Sequence, residues 1–167
     1  MKTLYQSGNS SLLFCKKTAF LCSRQIPEGK REAISNWISG LSPEKDCIIC
    51  GNHSQMEQMV FNELLDKMVP VILVLAEGMK NEWNEKIASA LKSEHLLVIT
   101  ACNEDVHWVN HQSAYDRNNL ILSLADQIIV GYCTPKGNID KQIAGKANVI
   151  FLNRTRYPAI EQDSTFP

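Results

Sequence analysis

A chain of 167 residues is long enough for one domain with a sizeable core. Its 44% hydrophobic and 21% charged residues are ordinary for a globular protein. A formal net charge of -1 argues against a large non-specific nucleic-acid surface, which needs clustered lysine and arginine, and leaves room for a local basic patch.

No apolar run approaches the length of a membrane span. The first residues, Met1 to Ser11, lack the apolar core of a signal peptide, so a cytoplasmic location is expected. The six cysteines lie mostly in apolar runs. Buried free thiols explain them better than a disulfide frame.

Residues 1–16 are rich in Ser, Asn and Gly and predict an arm or a short edge element. Thr18-Ala-Phe-Leu-Cys22 reads as a buried strand ending in polar Ser23-Arg24. Pro27 and Glu28 suit a helix start, and Ala33, Ile34, Trp37, Ile38 and Leu41 share a face, so the helix runs to about Gly40. Cys47-Ile-Ile-Cys50 is the next strand, stopped by Gly51. Its C-x-x-C spacing places the two thiols on opposite faces of a strand, which suits two core cysteines and not a redox or zinc pair. Ser54-Gln-Met-Glu57 fits a capping box opening a helix that uses Met56, Met59, Val60 and Leu64.

Pro70 to Leu75 is a strong strand with its proline at the tolerated first position, ended by Glu77-Gly78. Asn81 to Leu91 is predicted helical, with Trp83 and Ile87 inward, and Leu96 to Ile99 is a strand. Residues 100–112 look polar and irregular. In the segment from Ala114 to Gly131, Leu120, Ile121 and Leu124 share a helical face, and Ile128-Ile-Val130 follows as a strand. That places Arg117, Asn118 and Asn119 near a helix start, where outward N–H groups favour a phosphate or carboxylate. A solvated polar first turn explains the same residues equally well. Thr134 to Asn138 is a loop, Ile139 to Gly145 a short helix, Ala147 to Leu152 a last strand, and the segment from Asn153 a tail.

Strands that are continuous apolar runs, alternating with helices, imply a three-layer α/β domain over 17–152. Its mainly parallel sheet has about six or seven strands, with helices on both faces. In such sheets ligands bind beyond the carboxyl ends of the strands. Those ends carry Ser23, Arg24, Gly51, Asn52, His53, Ser54, Glu77, Gly78, Thr100, Thr134, Lys136, Gly137 and Asn138, with Arg117 and Asn118 at the same edge. Cationic groups, amides, hydroxyls and glycines together suit a phosphate-bearing ligand, although loops at any sheet edge are polar. Neither a G-x-G-x-x-G fingerprint nor a P-loop is present, which lowers ordinary NAD and ATP enzymes, and no cofactor is expected.

Weaker signals lie in the polar stretch. Cys102, His107 and His111 are of metal-ligating type, but no second pair is spaced to complete a site, so no metal is expected. Trp108 could stack on a base or cover the core, and the cover is the favoured reading. Arg154 and Arg156 read as tail charges.

Residues 18–152 resemble the Rossmann-like domain of the DNA-processing protein A (DprA/Smf) family, within the SLOG superfamily. Phe20-Leu-Cys-Ser-Arg24 is similar to a strand ending in G-S-R. Cys50-Gly-Asn-His-Ser-Gln-Met-Glu57 falls where the family has S-G-x-A-x-G-I-D. Val71 to Gly78 resembles V-x-V-L-x-x-G, and Arg117-Asn-Asn-Leu-Ile121 resembles R-N-R-I-I, followed by a similar strand through Val130. Thr134-Pro-Lys-Gly137 sits where a Ser-Gly loop is expected. The chain departs at Cys22 (glycine in the family), Gln55 (glycine), Glu57 (aspartate) and Asn119 (arginine). It lacks the P-G-G-x-G-T-x-x-E motif of the superfamily's phosphoribohydrolases.

The resemblance implies a binding module that holds a nucleotide or single-stranded DNA by its phosphate. Ser23, Arg24, Gly51, Asn52, Ser54, Gly78, Arg117, Asn118, Lys136 and Gly137 would form the site, and a homodimer is expected. The alternative is a nucleotide N-glycosidase using Glu57 or Glu77 as acid. Loss of the hydrolase motif favours the binding module, with no catalytic residue assigned.

Overall fold

The computed structural model describes residues 3–153. The tail arginines, Arg154 and Arg156, lie outside the described residues.

Six apolar runs form strands: β2 (Thr18–Leu21), β3 (Ile48–Cys50), β4 (Val71–Leu75), β5 (Leu96–Thr100), β6 (Gln127–Val130) and β7 (Val149–Phe151). The segment before them adds β1 (Tyr5–Gly8) and a 3-10 turn at Ser10–Phe14. The sheet order is β1-β5-β4-β3-β2-β6-β7. Every pairing is parallel except that of β1, which runs antiparallel to β5 with Tyr5 opposite Thr100.

Five helices connect the parallel strands: α1 (Arg31–Ser39), α2 (Gln55–Asp66), α3 (Glu85–Lys92), α4 (His111–Leu124) and α5 (Asn138–Ile143). Ile34 of α1, Val60 of α2 and Ile87 of α3 pack on one face with Phe20, Cys50, Leu73 and Val98. Ile121 of α4 and Ile139 of α5 pack on the other with Ala19, Cys47, Ile72 and Ile99. Both faces of the central strands are therefore dry, which is why their sequences are unbroken apolar runs. Each large side chain withdrawn from water stabilises the sheet by about 1.5–3 kcal/mol. Cys47 and Cys50 fall in opposite cores, as strand alternation requires. Trp37 stacks on Phe20 with ring centroids 5.2 Å apart. No helix among the described residues is long and apolar enough to cross a membrane.

Three helices start elsewhere than the sequence predicts. The helix expected from Pro27 begins at Arg31, because Gly29 takes a positive φ of 84° and the Lys30 N–H closes a turn on the Pro27 carbonyl at 3.2 Å. The helix expected from Asn81 begins at Glu85, because Asn84 caps it by accepting from the Ile87 N–H at 2.9 Å. Trp83 is left outside the helix but still packs on the core. The helix expected in the segment from Ala114 begins earlier, at His111. The side chains of Asn110 and Ser113 each accept from the other's backbone N–H, at 2.8 and 2.9 Å. That capping box begins at Asn110, inside the stretch read as irregular. Arg117 consequently sits in the second turn of α4, away from the exposed N–H groups of its first turn.

The connectivity fixes where a ligand can enter. From central β2 the chain steps outward through β3, β4 and β5, then returns through α4 to β6 on the other side of β2. Connections leave β2 and β6 toward opposite faces, and the carboxyl ends there are not roofed by one continuous layer.

Candidate functional site

A cleft of about 400 Å³ opens at this point of reversal. That volume lies in the range of small-ligand sites. The loop after β2 supplies Ser23, Arg24 and Gln25, and the loop after β3 supplies His53 and Ser54. Helix α4 contributes His111, Ala114, Tyr115, Arg117 and Asn118, and the turn before α5 contributes Thr134, Gly137 and Asn138.

The floor is a buried ion pair. Arg117 and Glu57 are 6% and 6% exposed, and the Arg117 Nη2 lies 3.1 Å from the Glu57 Oε1. The other carboxylate oxygen of Glu57 accepts from the backbone N–H groups of His53 and Ser54, at 2.8 and 3.2 Å. The Ser54 hydroxyl returns the bond by accepting from the Glu57 N–H at 3.2 Å, so the expected capping box is present. Glu57 thus engages the N–H groups of the two residues that lead into α2.

Gly51 makes this pairing possible. A Cβ there would overlap the Arg117 guanidinium, so the arginine crosses from α4 to α2 over a bare stretch of backbone. From Arg117 a chain of polar contacts runs sideways. Its Nε donates to the Asn118 Oδ1 at 3.0 Å, and the Asn118 amide donates to the Gln142 Oε1 at 3.4 Å. The Gln142 amide donates to the Tyr115 carbonyl and to the Asn119 Oδ1, at 2.8 and 2.9 Å. Asn119, where the resembled motif has an arginine, is therefore an acceptor in a structural network.

The opposite wall is held by Ser23. Its N–H donates to the Tyr132 carbonyl at 2.8 Å, and its Oγ accepts from the Thr134 N–H at 2.9 Å. These bonds extend the β2–β6 pairing past the strands and hold the Thr134 to Gly137 turn beside the cleft. The hydroxyl proton of Ser23 remains able to donate. Arg24 is exposed and has no carboxylate partner among the described residues. Its positive charge is therefore not offset locally, unlike that of Arg117.

Six of the ten residues expected at the site line the cleft: Ser23, Arg24, Ser54, Arg117, Asn118 and Gly137. Gly51 lies beneath the arginine and Asn52 is half-buried outside the lining. Gly78 belongs to a separate depression with Glu77, Lys80, Glu104 and His107. Lys136 faces a third, on the α5 side, with Lys141 and Lys146. Of the three cationic groups expected together, Arg24 and Arg117 share the cleft, whereas Lys136 lies on the α5 side of its turn.

Sequence reasoning missed Gln25, Ala114 and Tyr115. The Asn110–Ser113 capping pair was the signal that could have brought α4 forward to include the last two. His111, of metal-ligating type, lines the cleft from the start of α4. Among the described residues no group of three metal-ligating side chains comes together. Trp108, read as a cover for the core, is 82% exposed. Burial pushes the Cys22 thiol up to about 12 and raises that of Cys50 as well, so neither is a ready nucleophile beside the cleft.

The family described as DNA recombination-mediator protein A matches residues 1–138. No curated protein matches the chain. Among solved structures, DNA processing protein A from Helicobacter pylori, described for its single-stranded DNA binding mode, superimposes with a TM-score of 0.70 at 16% identity, over 92% of this chain and 73% of that one. DNA processing protein A from Streptococcus pneumoniae superimposes with a TM-score of 0.71 at 18% identity, over 89% of this chain and 54% of that one. These likenesses establish a shared Rossmann-like fold.

Proposed function

The chain belongs to the DNA recombination-mediator protein A family, and on that premise we propose that it is a binding module for single-stranded DNA. A backbone phosphate would sit in the cleft at the carboxyl ends of β2, β3 and β6. The observation that carries this reading is the cleft itself, with exposed Arg24 beside the Ser23 hydroxyl. Arg24 would supply the ionic contact and Ser23 a neutral donor. Arg117 would shape the floor, since its charge is already balanced by Glu57. Asn118 and Gly137 would be wall residues. The described relative from Helicobacter pylori supports a single strand as the ligand over a free nucleotide.

The N-glycosidase alternative draws no support from the two candidate acids. Both oxygens of Glu57 already accept hydrogen bonds, and Glu77 lies outside the cleft, 3.1 Å from the Lys80 ammonium. A homodimer and a cytoplasmic location belong to the same proposal by family likeness. Sedimentation of the pure chain tests the dimer.

Fluorescence anisotropy with a labelled oligothymidylate tests the binding. Affinity should fall linearly on a log–log plot against salt, with a slope of about -0.7 per phosphate contacted. Arg24→Ala should weaken binding and flatten that slope by about 0.7. Absence of binding at low salt, or an Arg24→Ala variant with wild-type affinity and slope, would end the proposal.

A further inference from the structure

The sheet edge carries opposite charge on the two sides of the cleft. Toward β4 and β5 the neighbouring depressions are lined by Glu77, Glu104 and Asp105. Lys80 there is held by Glu77, and Glu104 and Asp105 have no cationic partner among the described residues. Toward β7 a groove of about 450 Å³ runs along α5, lined by Lys136, Lys141 and Lys146 against one carboxylate, Asp140, over apolar Ile143 and Val149. All three lysines are exposed. None of their ammonium groups has an ion-pair partner among the described residues, whereas those of Lys17, Lys80 and Lys86 do.

One turn separates this groove from the cleft. Gly137 lines the cleft, and Lys136, its neighbour in the chain, lines the groove. Adjacent Cα atoms are about 3.8 Å apart, so the two depressions adjoin. The turn is fixed by two bonds: the Gly137 N–H donates to the Thr134 carbonyl at 3.0 Å, and the Lys136 N–H donates to the Asp140 Oδ2 at 2.8 Å. Exposed charges act on one another over about 10 Å at about 0.1 M salt. A polyanion held in the cleft therefore meets repulsion on the β4 side and attraction on the α5 side.

We infer that the strand leaves the cleft over the Thr134 to Gly137 turn and lays its following phosphates along the groove of Lys136, Lys141 and Lys146. This rests on the single-stranded DNA reading above and adds to it a second binding site and a direction of travel. An ammonium on a flexible stem meets a phosphate as a point charge and reads no base. The groove therefore adds affinity and salt dependence without adding sequence preference.

The test is the oligothymidylate anisotropy titration against salt, run on three proteins. One is the wild-type chain. One carries Lys136→Gln, Lys141→Gln and Lys146→Gln. The third loses the same charge through Lys45→Gln, Lys86→Gln and Lys92→Gln, which line neither the groove nor the cleft. Three contacts at about 0.7 each should make the wild-type slope steeper than that of the groove variant by about 2. Between about 50 and about 200 mM salt, wild-type affinity should then fall about twentyfold further than that of the groove variant. The charge-matched variant should keep the wild-type slope. A groove variant with the wild-type slope, or a charge-matched variant that loses as much, overturns the lysine track and leaves the cleft reading standing. A groove variant that loses slope while Arg24→Ala changes nothing overturns the cleft reading, and with it the path from cleft to groove. Absence of wild-type binding at low salt overturns both.

Discussion

Two glycines end neighbouring strands of the same sheet edge, and their surroundings differ completely. Gly51, after β3, faces a side chain: the Arg117 guanidinium lies where its Cβ would be. Gly78, after β4, faces backbone: its N–H donates to the Val106 carbonyl at 2.7 Å, and a Cβ there would run into the Asn103 carbonyl. Thr100 seals the same side by donating to the Glu77 carbonyl at 2.6 Å. At one half of the edge the chain thus packs backbone against backbone. The other is left open and floored by an ion pair, because the connections from β2 and β6 diverge.

The contrast can be broken most forcefully at the ion pair. Arg117→Ala leaves the Glu57 carboxylate buried without its counter-charge and should destabilise the fold by about 3–5 kcal/mol in urea unfolding. A loss within the range of an ordinary surface substitution would show that water replaces the guanidinium at little cost. Next in size, Gly51→Ala should displace the arginine and cost nearly as much in the wild-type background. It should cost little once Arg117 is already alanine, since the obstacle has gone. Gly78→Ala should cost about 1–3 kcal/mol in either background, because it meets backbone and not a removable side chain. Equal behaviour of the two glycines in this cycle would erase the distinction between them. The smallest effect belongs to the cap: Ser54→Ala should lose about 1 kcal/mol, read by the same unfolding midpoint, and leave the Arg117–Glu57 contact in place.

The layered sheet was legible because doubly covered strands cannot carry polar residues, and Ile48 to Cys50 or Val71 to Leu75 announce themselves in any reading. The Ser54–Glu57 capping box was legible because its signature is local. The start of α4 was not, since Asn110 and Ser113 lie among Glu, Asp and His residues that mask a helix with only a weak apolar stripe. The partner of Arg117 was beyond reach for another reason: Glu57 is 60 positions away, and nothing in the spacing of either segment specifies a contact over Gly51. Lys136 and Gly78 were placed with Arg117 because strand ends look alike in sequence, whereas their separation depends on which connection covers which end. Trp108 illustrates the limit for single residues: an aromatic in a polar stretch does not declare whether it points in or out.

The guanidinium that bridges α2 and α4 also ties the two helical layers together. The amides of His53 and Ser54 are held by the carboxylate that the arginine secures from the opposite face of the sheet. Their hydrogen exchange should therefore respond to events in α4, a helix that contributes no atom to those bonds. Opening of one layer is expected to loosen the other, so that the two halves of the domain exchange as one cooperative unit at this edge.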